Sequence, residues 1–340
     1  MKWLGRVACP AGRLLSIALA FSLAGAGTAS AQTCYTADDM EAATRTALLN
    51  TGKRYFDLLA KGDSASLKQS AIATLASDFS SVETAVKNNQ ANFAAGQASP
   101  RAPFLLKADG TAPLARAEFL CGVFGKNGQT EKSAEFVIPN LPPGDYGVVI
   151  DDLSTPKGPY TVTWVLEQAG AVWKLGGLYI KESQIAGHDG SWYADKARTF
   201  KNKNQNHNAW FYYLQARDLL VPVSFMYTQA TDKLYDESQT VKPTDLPGDG
   251  NTVDLSAAGK TYKLINLFPV AVGQDLDLVV KYQAADISDR GKTFAANMSA
   301  INALVEKYPE FRDAFAGVIA RAVEPSGQDY GSLAEMKDIK

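Results

Sequence analysis

The feature that most constrains the fold is a series of five short segments rich in β-branched and aromatic residues. They cover approximately residues 116–124, 134–138, 145–151, 159–168 and 171–182. Turn-forming residues separate them, among them Gly125-Lys126-Asn127-Gly128, Pro142-Pro143-Gly144 and Ala169-Gly170. Short strands at this spacing, with turn signals between them, predict an antiparallel meander.

The last of these segments is apolar on both of its faces. One face carries Trp173, Leu175 and Tyr179, and the other carries Val172, Leu178 and Ile180. A strand with one face in water should alternate with polar residues, so we expect both faces to be covered. Gly176-Gly177 interrupts the segment and predicts a bulge or a bend.

Two amphipathic helices precede the strands. The first follows a capping-box pattern at Thr36, and its apolar positions recur at helical spacing as far as Gly62, which offers a stop. The second, capped by Ser64 or Ser66, continues this period to about residue 89. Helices followed by a meander predict an α+β fold in which the helices pack on a curved antiparallel sheet.

Residues 36–183 resemble the nuclear transport factor 2-like cone fold. The resemblance rests on Tyr55-Phe56-Asp57-Leu58-Leu59 and Gly62-Asp63 in the helices, and on Trp164 and Trp173-Lys174-Leu175-Gly176-Gly177-Leu178-Tyr179 in a closing hairpin. It implies either an enzyme with an acid or base inside the cone, or a non-catalytic ligand-binding or assembly domain. No His lies in this segment, and no acid–base pair matches the family residue by residue.

A pair of shorter helices is predicted after the sheet. Asp189 or Ser191 can cap the first, and the second ends before Val221-Pro222. Their small and aromatic residues are spaced as in one tetratricopeptide repeat, with Tyr193 in place of the usual Trp. Because one repeat cannot bury a continuous core, we expect a helical hairpin packed on the outer face of the sheet.

The second helix of this hairpin carries four consecutive aromatic residues, Trp210, Phe211, Tyr212 and Tyr213. They cannot all face one way on a helix, so some of them must contact another part of the chain or a ligand. We expect residues 191–237 to dock on the sheet and to bury at least one of Trp210 and Tyr213 there.

The C-terminal part reads as a small α/β unit of no recognised family. Residues 243–250 form a linker or loop, and strands are expected at 262–268 and 276–282. Two helices should follow, at 289–307 and 309–323. The predicted organisation is therefore an export segment at 1–31, a cone-like domain at 32–183, a helical hairpin region at 184–242 and a C-terminal part at 243–340.

The first 31 residues have the pattern of a cleaved signal peptide. Lys2, Arg6 and Arg13 precede the apolar run 14–26, and Ala29-Ser30-Ala31 provides small residues for cleavage before Gln32. A membrane anchor is the alternative, but the run is shorter than the roughly 20 apolar residues that a span needs. We expect a periplasmic or secreted protein that is not inserted in the membrane.

Cleavage would change both the charge and the cysteine count. Loss of three basic residues takes the net charge from −2 to −5, which argues against nucleic acid as a partner. It also removes Cys9 and leaves Cys34 and Cys121. In an oxidising compartment this pair predicts a disulfide between the start of the first helix and a strand, with two buried free thiols as the alternative.

Motifs of enzymes and metal sites are missing from the sequence. It has no Gly-x-Ser-x-Gly elbow, no His-Glu-x-x-His helix, no phosphate-binding glycine loop and no Cys-x-x-Cys. We therefore predict no cofactor and no metal, and we assign no catalytic or ligand-binding residue. The function expected is binding of a small molecule or a protein. The alternatives are a cofactor-independent enzyme for proton transfer or hydrolysis, with its site inside the cone, and a cell-envelope scaffold.

Several polar groups can nevertheless be interpreted either as functional groups or as parts of the structure. His188 next to Asp189 suggests a general base, but a turn with a helix cap explains it better, and His207 lies in an Asn-rich stretch. Asp151-Asp152 could share a proton or bind a cation, but neighbouring strand residues point to opposite faces, so a solvated strand end is the better interpretation.

Two surface groups have similar alternatives. Asp249-Gly250-Asn251 with Asp245 and Asp254 hints at calcium, but the spacing misses the EF-hand loop and a turn explains it better. The basic run Lys196, Arg198, Lys201 and Lys203 could hold an anion, although basic residues near a helix C-terminus are expected from the dipole alone.

Overall fold

In the computed structural model the chain is described over residues 32–123, 128–248, 250–257 and 259–340. The predicted export segment 1–31, the turn residues 125–127 and Asp249 lie outside the described residues. The described residues form an α+β fold, as the sequence predicts.

The N-terminal half begins with a short strand and four helices, and seven strands follow. In chain order these elements are β1 (Gln32–Tyr35), α1 (Ala42–Lys61), α2 (Ser64–Gln69), α3 (Ala73–Ser77), α4 (Ser80–Phe93), β2 (Gln97–Pro100), β3 (Phe104–Ala108), β4 (Leu114–Cys121), β5 (Ala134–Leu141), β6 (Gly144–Thr155), β7 (Gly158–Ala169) and β8 (Val172–Glu182). The predicted stop is confirmed, because α1 ends at Gly62 in the left-handed region with φ 75°.

The second predicted helix is broken into three pieces, α2, α3 and α4, so the prediction of one continuous helix is wrong. Between α2 and α3 the backbone bonds to strand β8. The amide of Ile72 donates to the carbonyl of Leu175, and the amide of Leu175 donates to the carbonyl of Ser70, both at 2.9 Å. Because residues 70–72 bond to β8, they cannot also continue the helical hydrogen bonds.

The C-terminal half contains both helices and strands. In chain order they are β9 (Gln184–Ile185), β10 (His188–Asp189), α5 (Gly190–Asn202), α6 (Asn206–Leu220), β11 (Met226–Thr228), α7 (Gln229–Gln239), β12 (Val253–Ala257), β13 (Lys260–Val272), β14 (Asp275–Gln283), α8 (Arg290–Lys307), β15 (Gly317–Val323) and β16 (Asp329–Glu335). The helix expected at 309–323 is wrong, because a short 3-10 helix at Pro309–Asp313 is followed by β15.

The strands of the N-terminal half form two sheets. The main sheet has the order β1-β3-β6-β7-β8, and β2 also pairs with β6. The predicted meander is right for β6, β7 and β8 only, because β4 and β5 join β11 in a separate small sheet. The helices α1 to α4 pack on one face of the main sheet, and the small sheet packs on the other.

A β-bulge in β8 explains why this strand looks apolar on both faces. The register with β7 shifts between Val165 and Leu166, at the predicted Gly176-Gly177. Beyond the shift the alternation reverses, so that Trp173, Leu175, Leu178 and Ile180 all pack on the helical side. Val172 and Tyr179 lie on the other face and are 55% and 42% exposed. The expectation that both faces must be covered is therefore wrong.

The helical hairpin of α5 and α6 packs on the C-terminal sheet, so the predicted burial of Trp210 or Tyr213 on the main sheet is wrong. Of the range 191–237 that was predicted to dock there, residues 223–226 do pack against the outer face of the main sheet. Tyr213 is buried in the C-terminal core, and Trp210 packs against this core. Phe211 packs near Phe311 and Phe315 in the same core. The hydroxyl of Tyr212 donates to the carbonyl of Ala314 at 2.6 Å. Residues 184–242 and 243–340 thus share one hydrophobic core.

The C-terminal sheet has five strands in the order β12-β13-β14-β15-β16. Its pairs are antiparallel except β14 with β15, which are parallel and connected through α8. A parallel pair needs such a crossover. The hairpin and α8 pack on one face of this sheet and form the core there.

The predicted disulfide is present between Cys34 and Cys121, whose Cα atoms are 4.9 Å apart. Cys34 lies in strand β1 and not at the start of a helix, so the expected position of this end of the bridge is wrong. The bridge joins the main sheet to β4 of the small sheet.

Candidate functional site

The space between the helices and the main sheet is filled by side chains. Trp164 and Tyr55 are fully buried there, with their ring centroids 6.0 Å apart. The hydroxyl of Tyr55 donates to the carbonyl of Trp173 at 3.1 Å. This close packing leaves the helical face of the sheet without room for a ligand beside these rings.

One carboxyl group is buried on this helical face. Asp151 is 3% exposed and accepts a hydrogen bond from the indole nitrogen of Trp164 at 2.7 Å. Burial raises the pKa of Asp151, and the negative charge of Asp152 raises it further, while the Trp164 hydrogen bond opposes the shift. Asp152 points away and pairs with Arg101 at 2.9 Å. The two carboxyls face opposite sides as expected, but Asp151 is not solvated, contrary to the prediction.

An apolar cleft of about 670 Å³ lies on the opposite face of the main sheet. Its floor is formed by Tyr146 and Val148 of β6 and Val165 of β7. Ile138 and Leu141 of β5 line one wall, so the small sheet forms this side of the cleft. The volume falls within the range of about 300–1,000 Å³ that is typical of small-molecule sites.

The other wall consists of two aromatic side chains. Tyr179 of β8 packs edge to face with Phe225, at 5.5 Å between ring centroids. The amide of Val137 in β5 donates to the carbonyl of Phe225 at 2.9 Å and fixes this segment against the small sheet. Gly176 also lines the cleft, and because it has no side chain the bulge leaves this end open.

Polar groups in the cleft are few. Glu167 lies opposite Tyr146 on the neighbouring strand and is the only charged side chain among the described residues that line the cleft. Burial, together with the negative charge of Glu167, raises the pKa of the Tyr146 hydroxyl to about 12. This hydroxyl donates to the carbonyl of Pro142 at 2.8 Å. A ligand would therefore meet an apolar surface with a carboxylate at one edge.

A further polar group lies close to this surface. Thr163 is fully buried on the same face of β7 as Val165, and its hydroxyl has no hydrogen-bond partner among the described residues. Such buried unsatisfied hydroxyls are uncommon. Burial also raises the pKa of Tyr179, the cross-strand neighbour of Thr163.

The structure gives His188 and the basic run structural roles. Asp189 caps α5 by accepting from the amide of Trp192 at 2.8 Å, and His188 stacks on Trp192 at 3.6 Å between ring centroids. The turn with a helix cap is thus confirmed. Arg198 donates to both carboxylate oxygens of Glu237, and this pairing leaves no open anion site at Arg198.

Two other members of the basic run also have contacts. Lys201 donates to the hydroxyl of Thr240 at 2.9 Å, and Lys196 lies 5.4 Å from the ring centre of Trp192. Lys201 thus connects α5 to the end of α7, whereas the contact of Lys196 stays within α5.

His207 is held between two carboxylates. Its Nδ1 lies 2.6 Å from Glu310 and its Nε2 lies 2.9 Å from Asp245. Asp254, which the calcium hypothesis places with Asp245, lies instead 3.8 Å from Lys263. The two aspartates are therefore not brought together, and Asp249 between them is outside the described residues.

The residues of the cleft were not identified from the sequence as a site. They come from seven separated stretches between residues 72 and 225, and most of them are ordinary apolar strand residues. The only local signal is the Gly176-Gly177 bulge. Sequence reasoning therefore predicted an irregularity at this point but not the cleft beside it.

Comparison of the chain with protein-family models, with curated proteins and with solved structures gives no significant match. None of the helices among the described residues combines the length and the apolar character that a membrane span requires.

Proposed function

We propose that this protein is exported and binds a small amphipathic molecule in the cleft of the main sheet. The observation that carries the proposal is the cleft itself, an apolar cavity whose described lining has a single charged group, at its edge. Binding sites for small molecules typically combine an apolar lining with a few polar groups that fix orientation. The disulfide and the signal-peptide pattern support a location outside the cytoplasm.

The chemistry of the cleft favours a ligand with an apolar body and a hydrogen-bond donor or cationic group. Glu167 can only accept hydrogen bonds when ionised. A carboxylate ligand would place a like charge beside it. An amine would instead form a charge-assisted hydrogen bond.

The alternatives have weaker support. An enzyme with its acid inside the cone would use Asp151, but this carboxyl is packed against Trp164 away from the cleft. A scaffold would need an apolar patch near the hairpin, where Leu214 and Tyr235 are exposed. Single exposed apolar residues are common on protein surfaces. The resemblance to the nuclear transport factor 2-like and tetratricopeptide families remains a prediction.

A dye-binding experiment tests the site. Nile red should bind the protein with increased fluorescence, and Ser224→Trp, at the exposed mouth of the cleft, should abolish this binding. The matched control is Ser81→Trp on the exposed side of α4, which should bind the dye normally. Equal binding by both variants would refute the assignment of the site.

Displacement of the dye then tests the ligand class. Dodecylamine should displace Nile red at about tenfold lower concentration than dodecanoate, a difference of about 1.4 kcal/mol. Glu167→Gln should remove this preference, whereas Glu83→Gln on α4 should keep it. A preference for dodecanoate in the unchanged protein would contradict the proposed chemistry. Export is tested separately. The intact mass of protein from the native envelope should be that of a chain beginning at Gln32.

A further inference from the structure

The C-terminal sheet has an apolar row on the face that points away from its core. Phe268, Val279, Ile319 and Leu333 are direct cross-strand neighbours on β13, β14, β15 and β16. The three hydrophobic cores of the described residues contain none of these four side chains. Because strand residues alternate between faces, the row lies opposite the side covered by the hairpin and α8.

This row is accessible to a partner. Leu333 is 47% exposed, Phe268 and Ile319 are half-buried, and Val279 is buried between its neighbours. Single exposed apolar residues need no explanation, but a contiguous row across four strands indicates an interaction surface. Val270 extends the apolar surface on β13.

Charged residues flank the row with opposite signs on its two sides. Lys281 and Arg321 are cross-strand neighbours and lie on one side of the row, two residues along the strands from Val279 and Ile319. Asp277 and Glu335 lie on the same face at the other side of the row, two residues from Val279 and Leu333. Arg321 is paired with Asp329 at 2.8 Å, so the positive charge offered to a partner on its side comes mainly from Lys281.

On the acidic side, Asp277 forms no ion pair with a basic side chain of the described residues. Burial and the like charges of Asp275 and Glu335 raise the pKa of Asp277, although a hydrogen bond from the Gly317 amide opposes this. Glu335 has a partner in Lys337, at 2.5 Å. A cation brought over Asp277 would relieve the repulsion at the centre of the sheet.

Two copies of this face match each other in charge if they are related by a two-fold axis of one orientation. If the axis runs along the apolar row, a second copy places its row on the first and reverses the two charged sides. Lys281 of each copy then faces Asp277 of the other. An axis along the strands would set like charges against each other. Isologous contacts of this kind are the commonest form of homodimer.

We propose that a second copy of this chain docks on this face, row against row, with the two-fold axis along Phe268, Val279, Ile319 and Leu333. The two sheets form a sandwich, and the apolar rows make its centre. The acidic side makes an anionic membrane surface a poor occupant. The dimer does not depend on the proposed ligand, because the cleft lies on the other sheet.

The mass of the full chain in solution tests the dimer. Sedimentation equilibrium should give a dimer, and Leu333→Asp should raise its dissociation constant by at least about tenfold. Leu120→Asp, at a leucine on β4 that is 58% exposed, is the control and should leave the dimer intact. A monomer at every concentration, or a dimer that Leu333→Asp leaves unchanged, would overturn the proposal.

Charge reversal tests the direction of the axis. Lys281→Glu should weaken the dimer, and adding Asp277→Lys should restore much of the affinity, because the residue that faces position 281 in the other copy then carries the opposite charge. Equal weakening by the single and the double variant would overturn the proposed axis. Thermal melts of each variant separate loss of the dimer from loss of the fold.

Cross-linking identifies the occupant. In the full chain carrying Cys9→Ser, Leu333→Cys should form a disulfide-linked dimer under mild oxidation, because each Leu333 faces its symmetry mate. Leu120→Cys should not do so. A second variant, Leu333→Cys with a photoreactive cross-linker, should capture β16 of the other copy. Capture of residues 1–31 instead would show that the chain's own N-terminal segment covers the face and would overturn the proposal.

Discussion

Cys34 is bonded to Cys121, and this bond fastens edge strand β1 of the main sheet to strand β4 of the small sheet. The small sheet in turn provides β5, which lines one wall of the apolar cleft. The bridge therefore has a stabilising role and also holds one side of the candidate binding site in place.

Replacing both cysteines by serine should lower the free energy of unfolding by about 4 kcal/mol, because the bridge spans 87 residues. It should also weaken Nile red binding, since the wall formed by β5 is no longer tied to β1. Urea denaturation and dye titration measure the two effects. Asn297→Leu, which removes hydrogen bonds from the C-terminal core, is the control that should be destabilised but bind the dye normally. Unchanged dye affinity without the bridge would contradict its role at the cleft.

The buried carboxyl of Asp151 should make stability depend on pH. Its pKa is raised in the folded protein, so the folded state holds the proton more tightly than the unfolded state. The stabilisation from this proton is complete below 3.8, the ordinary pKa of an aspartate, and is lost as the pH rises through the folded pKa. Asp151→Asn keeps an acceptor for Trp164 and removes the titration. The free energy of unfolding of this variant, relative to the unchanged protein, should therefore increase as the pH is raised from about 4 to 7.

Two further variants check this interpretation. Asp151→Ala leaves the indole N–H of Trp164 without an acceptor and should be about 1–3 kcal/mol less stable than Asp151→Asn at all pH values, because neither variant has the titrating carboxyl. Asp152→Asn, at the exposed neighbour, removes a smaller contribution to the raised pKa of Asp151 than burial makes, so most of the pH dependence should remain. If Asp151→Asn and the unchanged protein keep a constant difference across this pH range, the carboxyl does not titrate in the folded state as described.

A buried polar network in the C-terminal core should be sensitive to loss of its central amide. Asn297 accepts from the hydroxyl of Tyr282 at 2.7 Å and donates to the hydroxyl of Ser332 at 2.9 Å. Asn297→Leu leaves these groups unpaired and should cost about 2–4 kcal/mol in urea denaturation. Asn302→Leu, on the exposed side of the same helix, should change stability little. Similar stability of the two variants would show that the buried network contributes nothing measurable.

Local patterns predicted the individual elements better than their pairing. The segments around β6, β7 and β8 were identified from β-branched and aromatic residues, and the bulge from Gly176-Gly177. The small sheet was missed because β11 pairs with β5 across some ninety residues, with Met226 opposite Phe136. Pairing over such distances depends on the packed core and leaves no local signal in the sequence.

The error at residues 309–323 has a related cause. Phe311, Phe315, Val318 and Ile319 recur at helical spacing, but the last two also fit a strand. Packing decides in favour of β15, because the parallel position beside β14 buries Val318 completely. Short apolar runs are ambiguous in this way when read without their partners.

The candidate site could not be predicted, because its chemistry is made by position and not by residue type. Glu167 and Tyr146 differ from other polar strand residues only in being cross-strand neighbours at the edge of an open apolar surface. The hairpin was misplaced for a similar reason, since the reversed alternation in β8 reduces the apolar area that the hairpin was expected to cover.

The contact between the two hairpin helices leads to the last prediction. A Cβ atom placed on Gly190 at the start of α5 would lie 2.6 Å from a side-chain carbon of Leu220 and 2.9 Å from the carbonyl oxygen of Ala216. The side chain of Leu220 can move, but the backbone of α6 is held by the buried Tyr212 and Tyr213. Gly190→Ala should therefore push the helices apart and cost about 1–3 kcal/mol of unfolding free energy.

Gly291 provides the matched control for this change. It lies in the first turn of α8, and a Cβ atom there would meet only a carboxylate oxygen of Asp289 at 3.5 Å. Because alanine favours the helix over glycine by up to about 1 kcal/mol, Gly291→Ala should be neutral or stabilising. Urea denaturation of the two variants gives the comparison. If Gly190→Ala is as stable as Gly291→Ala, then α5 and α6 can separate without loss, and their close approach at Gly190 does not stabilise the hairpin.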